Sequence, residues 1–218
     1  MNIYLDIETI PEQNPNMDDY RALVKAPGNM KKQETIDAWM KDNLESEAEK
    51  LWLKTSFDGG KGQICCLGVG IVAELDQTVK AYTGDEVDML IQLNEFIYFY
   101  SLRTRVKPEV KFICHNAKFD LPFLHKRMVI NGIEPAFKCN FNGRHGQHHF
   151  CTMEEWAGFN GRISQDNLCK ILGLKTKPGM TGADVWPEYQ KGNIEKIADY
   201  CKHDVESVIQ IHKRLTWS

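Results

Sequence analysis

The sequence predicts an α/β domain: a mixed β-sheet flanked by helices, with a helical insertion after the first strand. Three observations carry that expectation. Short apolar runs with strand character stand at residues 3–9, 64–72, 78–82 and 110–114. Segments with helical spacing alternate with the later strands, the order of an α/β chain rather than of separate all-β and all-α units. Residues 11–62 separate the first two strands, far more than a turn needs, and connections of that length commonly carry function.

In the first strand Ile3, Leu5 and Ile7 alternate with Tyr4, Asp6 and Glu8, the period-two signature. Ile10-Pro11 ends it, and a polar segment rich in Asn, Asp and Pro runs to about Asn29. From Lys31 to Lys54, Ile36, Trp39, Met40, Leu44, Leu51 and Leu53 sit among charges of both signs, which reads as one or two amphipathic helices with a solvated face. Asp58-Gly59-Gly60-Lys61-Gly62 is a turn, and Ile64–Val72 is a continuous apolar run between glycines, hence a buried strand.

A short strand at Thr78–Tyr82 precedes a helix over Glu86–Tyr100, where Asp85 and Glu86 suit the positive N-terminus. Arg103, Arg105, Lys107 and Lys111 follow as a solvated loop. Val110–Cys114 is a strand, and Asp120–Asn131 a helix stopped by Asn131-Gly132. Between 135 and 151, Cys139, His145, His148, His149 and Cys151 match no zinc-ligand spacing and read as an exposed His-rich hairpin. Ser164 caps a helix through Leu168, Ile171 and Leu172 that Gly173 stops. Residues 175–193 read as irregular, with Pro178-Gly179 and Trp186-Pro187 as breakers. A long amphipathic helix then runs from Asn193 to about Leu215.

The 218 residues, 42% hydrophobic, suffice for one domain with a real core over residues 1–218. A net charge of −3 lacks the footprint of a small basic nucleic-acid module, yet leaves room for an enzyme whose metals supply positive charge. No apolar run reaches membrane-spanning length and no signal-peptide pattern is present. Seven cysteines, an odd number without framework spacing, suit a reducing compartment, so a cytoplasmic location is expected.

Four acids carry the chemistry. Asp6 and Glu8 are two apart on one strand and share a face, which is costly for like charges unless a cation sits between them. An exposed edge strand with a polar face would show the same pair. Asp120 lies at or near a helix start, where a carboxylate is also a plain N-cap. Tyr200 and Asp204 are four apart on the last helix, beside Ile197, Val205 and Val208, so Asp204 points near the core and needs a partner. Oxygen-only ligands suit Mg²⁺ or Mn²⁺ rather than zinc.

D-x-E at Asp6 and Glu8, N-x-x-F-D from Asn116 to Asp120, and Y-x-x-x-D from Tyr200 to Asp204 resemble the three exonuclease motifs of the DEDD superfamily, in its tyrosine subclass. The histidine subclass wants His where this chain has Asp199. The stretch Asp6–Pro11, the Gly62–Gly70 strand and Gly182–Trp186 resemble stand-alone predicted 3′–5′ exonucleases related to the proofreading domain of family-B DNA polymerases. One departure is Cys151-Thr152-Met153, where such proteins often carry an Asp.

The resemblance implies a ribonuclease-H-like fold and a two-metal-ion exonuclease that releases 5′-mononucleotides from the 3′ end of single-stranded DNA. Two divalent cations, Mg²⁺ or Mn²⁺, would be held by Asp6, Glu8, Asp120 and Asp204, with Asp6 shared, Glu8 and Asp204 on the nucleophile side and Asp120 on the other ion. Tyr200 would orient the attacking water, since a phenol with a pKa near about 10 is a poor base at neutral pH. Thr9 and Ile10 are placed to meet the terminal sugar and base, Phe119 to pack or stack, and Asn116 to hold the scissile region or cap the turn. Lys118, Arg162, Lys175 and Lys177 are candidates for a basic groove that holds a single strand. An RNA 3′-end trimmer, or a non-catalytic or proofreading accessory subunit with a replication or repair partner, shares these features.

Overall fold

Strand β1 (Asn2–Ile10) is the middle of a five-stranded sheet in the computed structural model, which describes residues 1–73, 76–101, 106–176 and 179–218. The strands β2 (Gln63–Ala73), β3 (Asp76–Thr83), β4 (Lys111–Cys114) and β5 (His149–Cys151) complete it in the order β3-β2-β1-β4-β5. β1 runs antiparallel to β2 and parallel to β4, so the sheet is mixed. The helices are α1 (Met17–Leu23), α2 (Gln33–Leu53), α3 (Glu86–Tyr100), α4 (Ala117–Ile130), α5 (Thr152–Ala157), α6 (Gln165–Ile171), α7 (Val185–Gln190) and α8 (Ile194–Thr216). This is an α/β architecture, consistent with the ribonuclease-H-like fold that the motifs imply.

Alternation along β1 divides the protein into two layers. Ile3, Leu5 and Ile7 meet Leu90, Leu93 and Ile97 of α3 and Leu121 and Leu124 of α4. Tyr4 faces the other way, against Val205, Val208 and Ile209 of α8. Asp6 and Glu8 therefore lie on the α8 side. That helix comes close because β2 carries Gly68 and Gly70 beneath it. A Cβ at Gly68 would stand 2.8 Å from Cys201 Sγ, 2.8 Å from Val205 Cγ2 and 3.2 Å from the Cys201 carbonyl.

The segment between β1 and β2 has its own apolar cluster, Tyr20, Val24 and Ala48 with Trp39, Met40 and Leu44 around them. It is tied to the end of β1 by three bonds. Thr9 Oγ1 donates to the Ser56 carbonyl at 2.7 Å, the Glu12 N–H to Thr55 Oγ1 at 2.8 Å, and Trp52 Nε1 to the Glu12 carbonyl at 2.8 Å. Trp52 also meets Trp186 of α7 edge-on at 5.6 Å.

Glu86 does not face solvent at the α3 terminus. Asp85 is the N-cap, accepting from the N–H groups of Val87 and Asp88, while Glu86 turns inward. Its carboxylate accepts from the Ile64 N–H at 2.7 Å, from Asn131 Nδ2 at 2.9 Å, and from Arg127 Nε and Nη2 at 2.9 and 2.7 Å. Removing one member of such a buried pair costs about 3–5 kcal/mol.

Four elements depart from the sequence expectation. α1 lies inside the polar segment, where Asn16 caps it and Tyr20 anchors it in the insertion's cluster. α4 starts three residues before Asp120, which is therefore inside the first turn rather than its cap. α5 follows β5 directly. Trp186-Pro187 does not break α7, because Pro187 sits in the first turn, where backbone N–H groups have no intrahelical acceptor to lose. Arg103, Arg105 and Lys177 lie outside the described residues.

All seven cysteines are free. Among the described residues no helix is long and apolar enough to cross a membrane. Among the described residues, too, the Cys139–Cys151 stretch gathers no metal-ligand cluster. His145 is occupied instead, accepting the Cys151 N–H at 3.0 Å and meeting Glu155 Oε2 at 2.8 Å.

Gly68→Ala is expected to lower the unfolding free energy by about 1–3 kcal/mol, as overpacking does. Gly28→Ala, where a new Cβ meets nothing within 4 Å, is the control and should stay within about 0.5 kcal/mol of the parent. Urea denaturation of both variants measures the difference.

Candidate active site

Asp6 pairs with Gly68 and Glu8 with Cys66 across the β1–β2 ladder, and the register then slips, so that Thr9 pairs with Ile64 and Cys65 is skipped. A bulge at that point twists the strand end and re-aims its side chains. Cys65 Sγ donates to the Glu8 carbonyl at 3.4 Å and fastens the irregularity. Both acids project toward α8. Glu8 is only 8% exposed.

α8 contributes Tyr200, Cys201 and Asp204 from consecutive turns. Asp204 is 4% exposed, and Gln165 Nε2 holds it by donating to both its Oδ1 and its carbonyl at 2.9 Å. Cys201 Sγ lies 3.6 Å from Asp6 Oδ2, and ligand atoms of Asp6, Glu8 and Cys201 all fall within 4.8 Å of one another. Burial pushes the Tyr200 phenol well above its usual range, and the negative charges of Glu8 and Asp6 push it further. Tyr200 is consequently a proton-bearing donor at neutral pH.

Asp120 comes from the first turn of α4 and is 4% exposed. Burial raises its carboxyl well above the ordinary value, and the charge of Asp6 raises it again, while backbone N–H groups of Asp120 and Asn116 pull it down. Two carboxylates that oppose each other's ionisation at a protein interior need a cation to ionise together.

A cavity of about 200 Å³ collects these groups: Asp6, Glu8, Asp120, Tyr200 and Asp204 line it, together with Asn116 and Phe119. Asn116 occupies the N-cap position of α4 but makes no side-chain cap bond, and its exposed side chain faces the cavity. Phe119 packs against Phe123 at 5.5 Å and Phe57 at 6.4 Å and also borders a second, largely apolar cavity of about 570 Å³ that holds Thr9, Phe57 and Trp186. Ile10 is not brought to either cavity. It is 1% exposed, packed with Val185 and Ile197 under α7 and α8.

Lys118 and Arg162 line a third cavity, of about 650 Å³, which shares Asn116 with the acid cavity. Lys175 is exposed after α6.

Gln165, His115 and Cys201 are site residues that the sequence did not reveal. Gln165 reads only as a first-turn residue of a Ser-capped helix. His115 lines the acid cavity while its ring nitrogens meet Thr152 Oγ1 and the Ile163 carbonyl at 2.9 Å each. Thr152, fully buried, thereby ties His115 to the start of α5, while the Ile163 carbonyl ties it to the approach to α6.

The residues present fit divalent cations: hard oxygen donors converge, and burial with mutual repulsion makes a bound charge favourable. Because the folded protein holds a proton on Asp120 more tightly than the unfolded chain does, metal-free stability falls as pH rises from the ordinary carboxylate range through the raised folded value. Asp120→Asn removes that liability. Metal-free, it should raise the melting temperature at neutral pH, by about 2–4 °C per kcal/mol relieved, and flatten the pH dependence. Calorimetry in chelator from pH 4 to 8 checks both; an unchanged pH profile contradicts the assignment.

Comparison with curated proteins gives no match. A family model does match, over residues 93–216, a span that contains Asp120, Tyr200 and Asp204 and stops short of the β1 acids. Exonuclease domains of this type use divalent metals. The chain belongs to this family, the predicted 3′–5′ exonucleases related to the exonuclease domain of PolB.

Proposed function

We infer that the protein removes 5′-mononucleotides from the 3′ end of single-stranded DNA, using two divalent cations, Mg²⁺ or Mn²⁺. The observation that carries this reading is the meeting of Asp6, Glu8, Asp120, Asp204 and Tyr200 at one cavity. The preference for DNA rests on the family's relation to a DNA polymerase domain.

Asp6, Glu8, Asp120 and Asp204 would hold the ions. When bound, such ions neutralise the scissile phosphate and lower the pKa of an attacking water. Asp6 and Glu8 act from a rigid central strand, which keeps their spacing constant during turnover. Asp204 acts from α8, and its bonds to Gln165 fix the carboxylate's orientation. Asp120 enters from the first turn of α4, the helix that packs on the other face of the sheet. Tyr200 keeps its proton and donates a hydrogen bond to the incoming water or a phosphate oxygen, aligning attack without taking the proton away. The terminal nucleoside sits on the apolar side of the acids, between Thr9 and Phe119, with Asn116 on the scissile region.

With Mg²⁺ or Mn²⁺, strands labelled at the 5′ end should shorten stepwise from the 3′ end, and the released product should be the 5′-mononucleotide. Asp6→Ala is expected to lose more than about 100-fold in kcat, since even outer-shell changes at metal sites cost about 10–100-fold. Tyr200→Phe should lose about 10–100-fold in kcat with little change in metal affinity. Parallel DNA and RNA strands decide the sugar preference; faster trimming of RNA overturns the DNA assignment, and absence of metal-dependent shortening overturns the whole reading.

A further inference from the structure

We propose that the nucleic-acid strand leaving the acid cavity on its 5′ side is gripped by a trough whose working residues are Lys118, Phe159 and Arg162. This rests on the exonuclease reading and adds to it a route and a direction. The acid cavity shares Asn116 in its wall with the cavity of about 650 Å³ that contains Lys118 and Arg162. That cavity in turn shares Lys118 with a further one of about 520 Å³ holding Arg144 and Phe159. The two sides of the acids differ in chemistry: among the described residues the apolar cavity at Thr9, Phe57 and Trp186 has no lysine or arginine in its lining, whereas the two cavities on the Asn116 side have three. Phosphates therefore leave on the Asn116 side and the terminal nucleoside lies on the other.

Lys118 is held ready. Its ammonium sits 4.4 Å from the Phe159 ring centroid and 3.3 Å from each of Glu154 Oε1 and Asn160 Oδ1. Glu154 is tucked beneath it, so the carboxylate fixes the cation without meeting the strand. Lys118 itself is 48% exposed, so its ammonium stays open to a phosphate while Glu154 holds it from below. Phe159 is 80% exposed, an aromatic face in water beside a cation. Cation and open ring together form the arrangement that holds single strands without reading sequence.

The test compares the parent with Lys118→Gln, Lys118→Arg, Arg162→Gln and Phe159→Ala. Cleavage is followed on oligothymidylate, on oligouridylate and on the p-nitrophenyl ester of thymidine 5′-monophosphate, which is too short to enter the trough. Fluorescence anisotropy of the same strands in chelator gives binding without turnover. Lys118→Gln, Arg162→Gln and Phe159→Ala should each raise KM for both strands about tenfold, so that the preference for strand over ester shrinks by the same factor. Each lost phosphate contact should reduce the salt slope of strand binding by about 0.7, and Lys118→Arg should restore it. Parental KM and salt slope in all three variants would overturn the trough. Failure of the parent to cleave either strand or ester with Mn²⁺ overturns the exonuclease reading instead, and the anisotropy arm then decides the trough alone, unchanged affinity sinking it. Circular dichroism confirms folding of these surface variants.

Discussion

The site depends on how near α8 can come to the central strands. Tyr200, Cys201 and Asp204 are useful only if their helix backbone approaches β1 and β2 closely enough for an Asp or Tyr side chain to reach the acids there. Gly68 and Gly70 provide that approach. The atoms a Cβ at 68 would strike belong to Cys201 and Val205, the helical neighbours of Tyr200 and Asp204. Gly68 is also the ladder partner of Asp6. One missing side chain thus sets both the packing of the helix and the separation of the acids it brings.

Two buried charged clusters in the fold invite comparison, because the chain treats them in opposite ways. Glu86 is surrounded by donors: a forked Arg127, Asn131 and the Ile64 N–H. That is how a structural charge is buried, with its desolvation offset by charge-assisted hydrogen bonds. Asp120 is equally buried, yet the charge nearest in influence is another carboxylate, Asp6, which opposes its ionisation. Stability alone would not retain that arrangement. A site that awaits cations does, and the apolar layer formed by α3 and α4 on the other face of the sheet, at about 1.5–3 kcal/mol for each fully buried Leu or Ile, can absorb the strain.

Much of this was legible in the sequence, for reasons of range. The alternation in β1, the apolar β2 run, the caps Asp85 and Ser164 and the i, i+4 pair Tyr200–Asp204 are local patterns, and local patterns need no knowledge of the fold. What escaped depends on contacts between distant segments. Gln165 matters through Asp204, His115 through Thr152 and Ile163, and Glu86 through Arg127; none announces its partner in its own neighbourhood. The short helices α1, α5 and α7 have at most seven residues, too few to stand without tertiary support, so propensity says little about them. Ile10 illustrates a subtler limit. Its parity puts it on the acid face of β1, but the slip after Glu8 and the cover of α7 bury it, leaving Thr9 at the cavity.

The division of labour between scaffold and periphery follows from the same geometry. The acids that would hold ions stand on β1, on α8 and in the first turn of α4, elements locked by the two apolar layers. The walls around them come from less constrained segments: Leu53, Ser56 and Phe57 of the insertion on one side, and the α5–α6 loop with Phe159 and Arg162 on the other. Chemistry on rigid elements and substrate contacts on loops is the arrangement that lets a catalytic constellation keep its spacing while the surface adapts to its ligand. The insertion is not merely carried along in this scheme. Thr9 spends its hydroxyl on Ser56, and Trp52 meets both the Glu12 carbonyl and Trp186, so the wall is pinned to the strand that bears Asp6 and Glu8. A displacement of α2 would therefore be felt at the end of β1, which couples the shape of the apolar cavity to the position of the acids beside it.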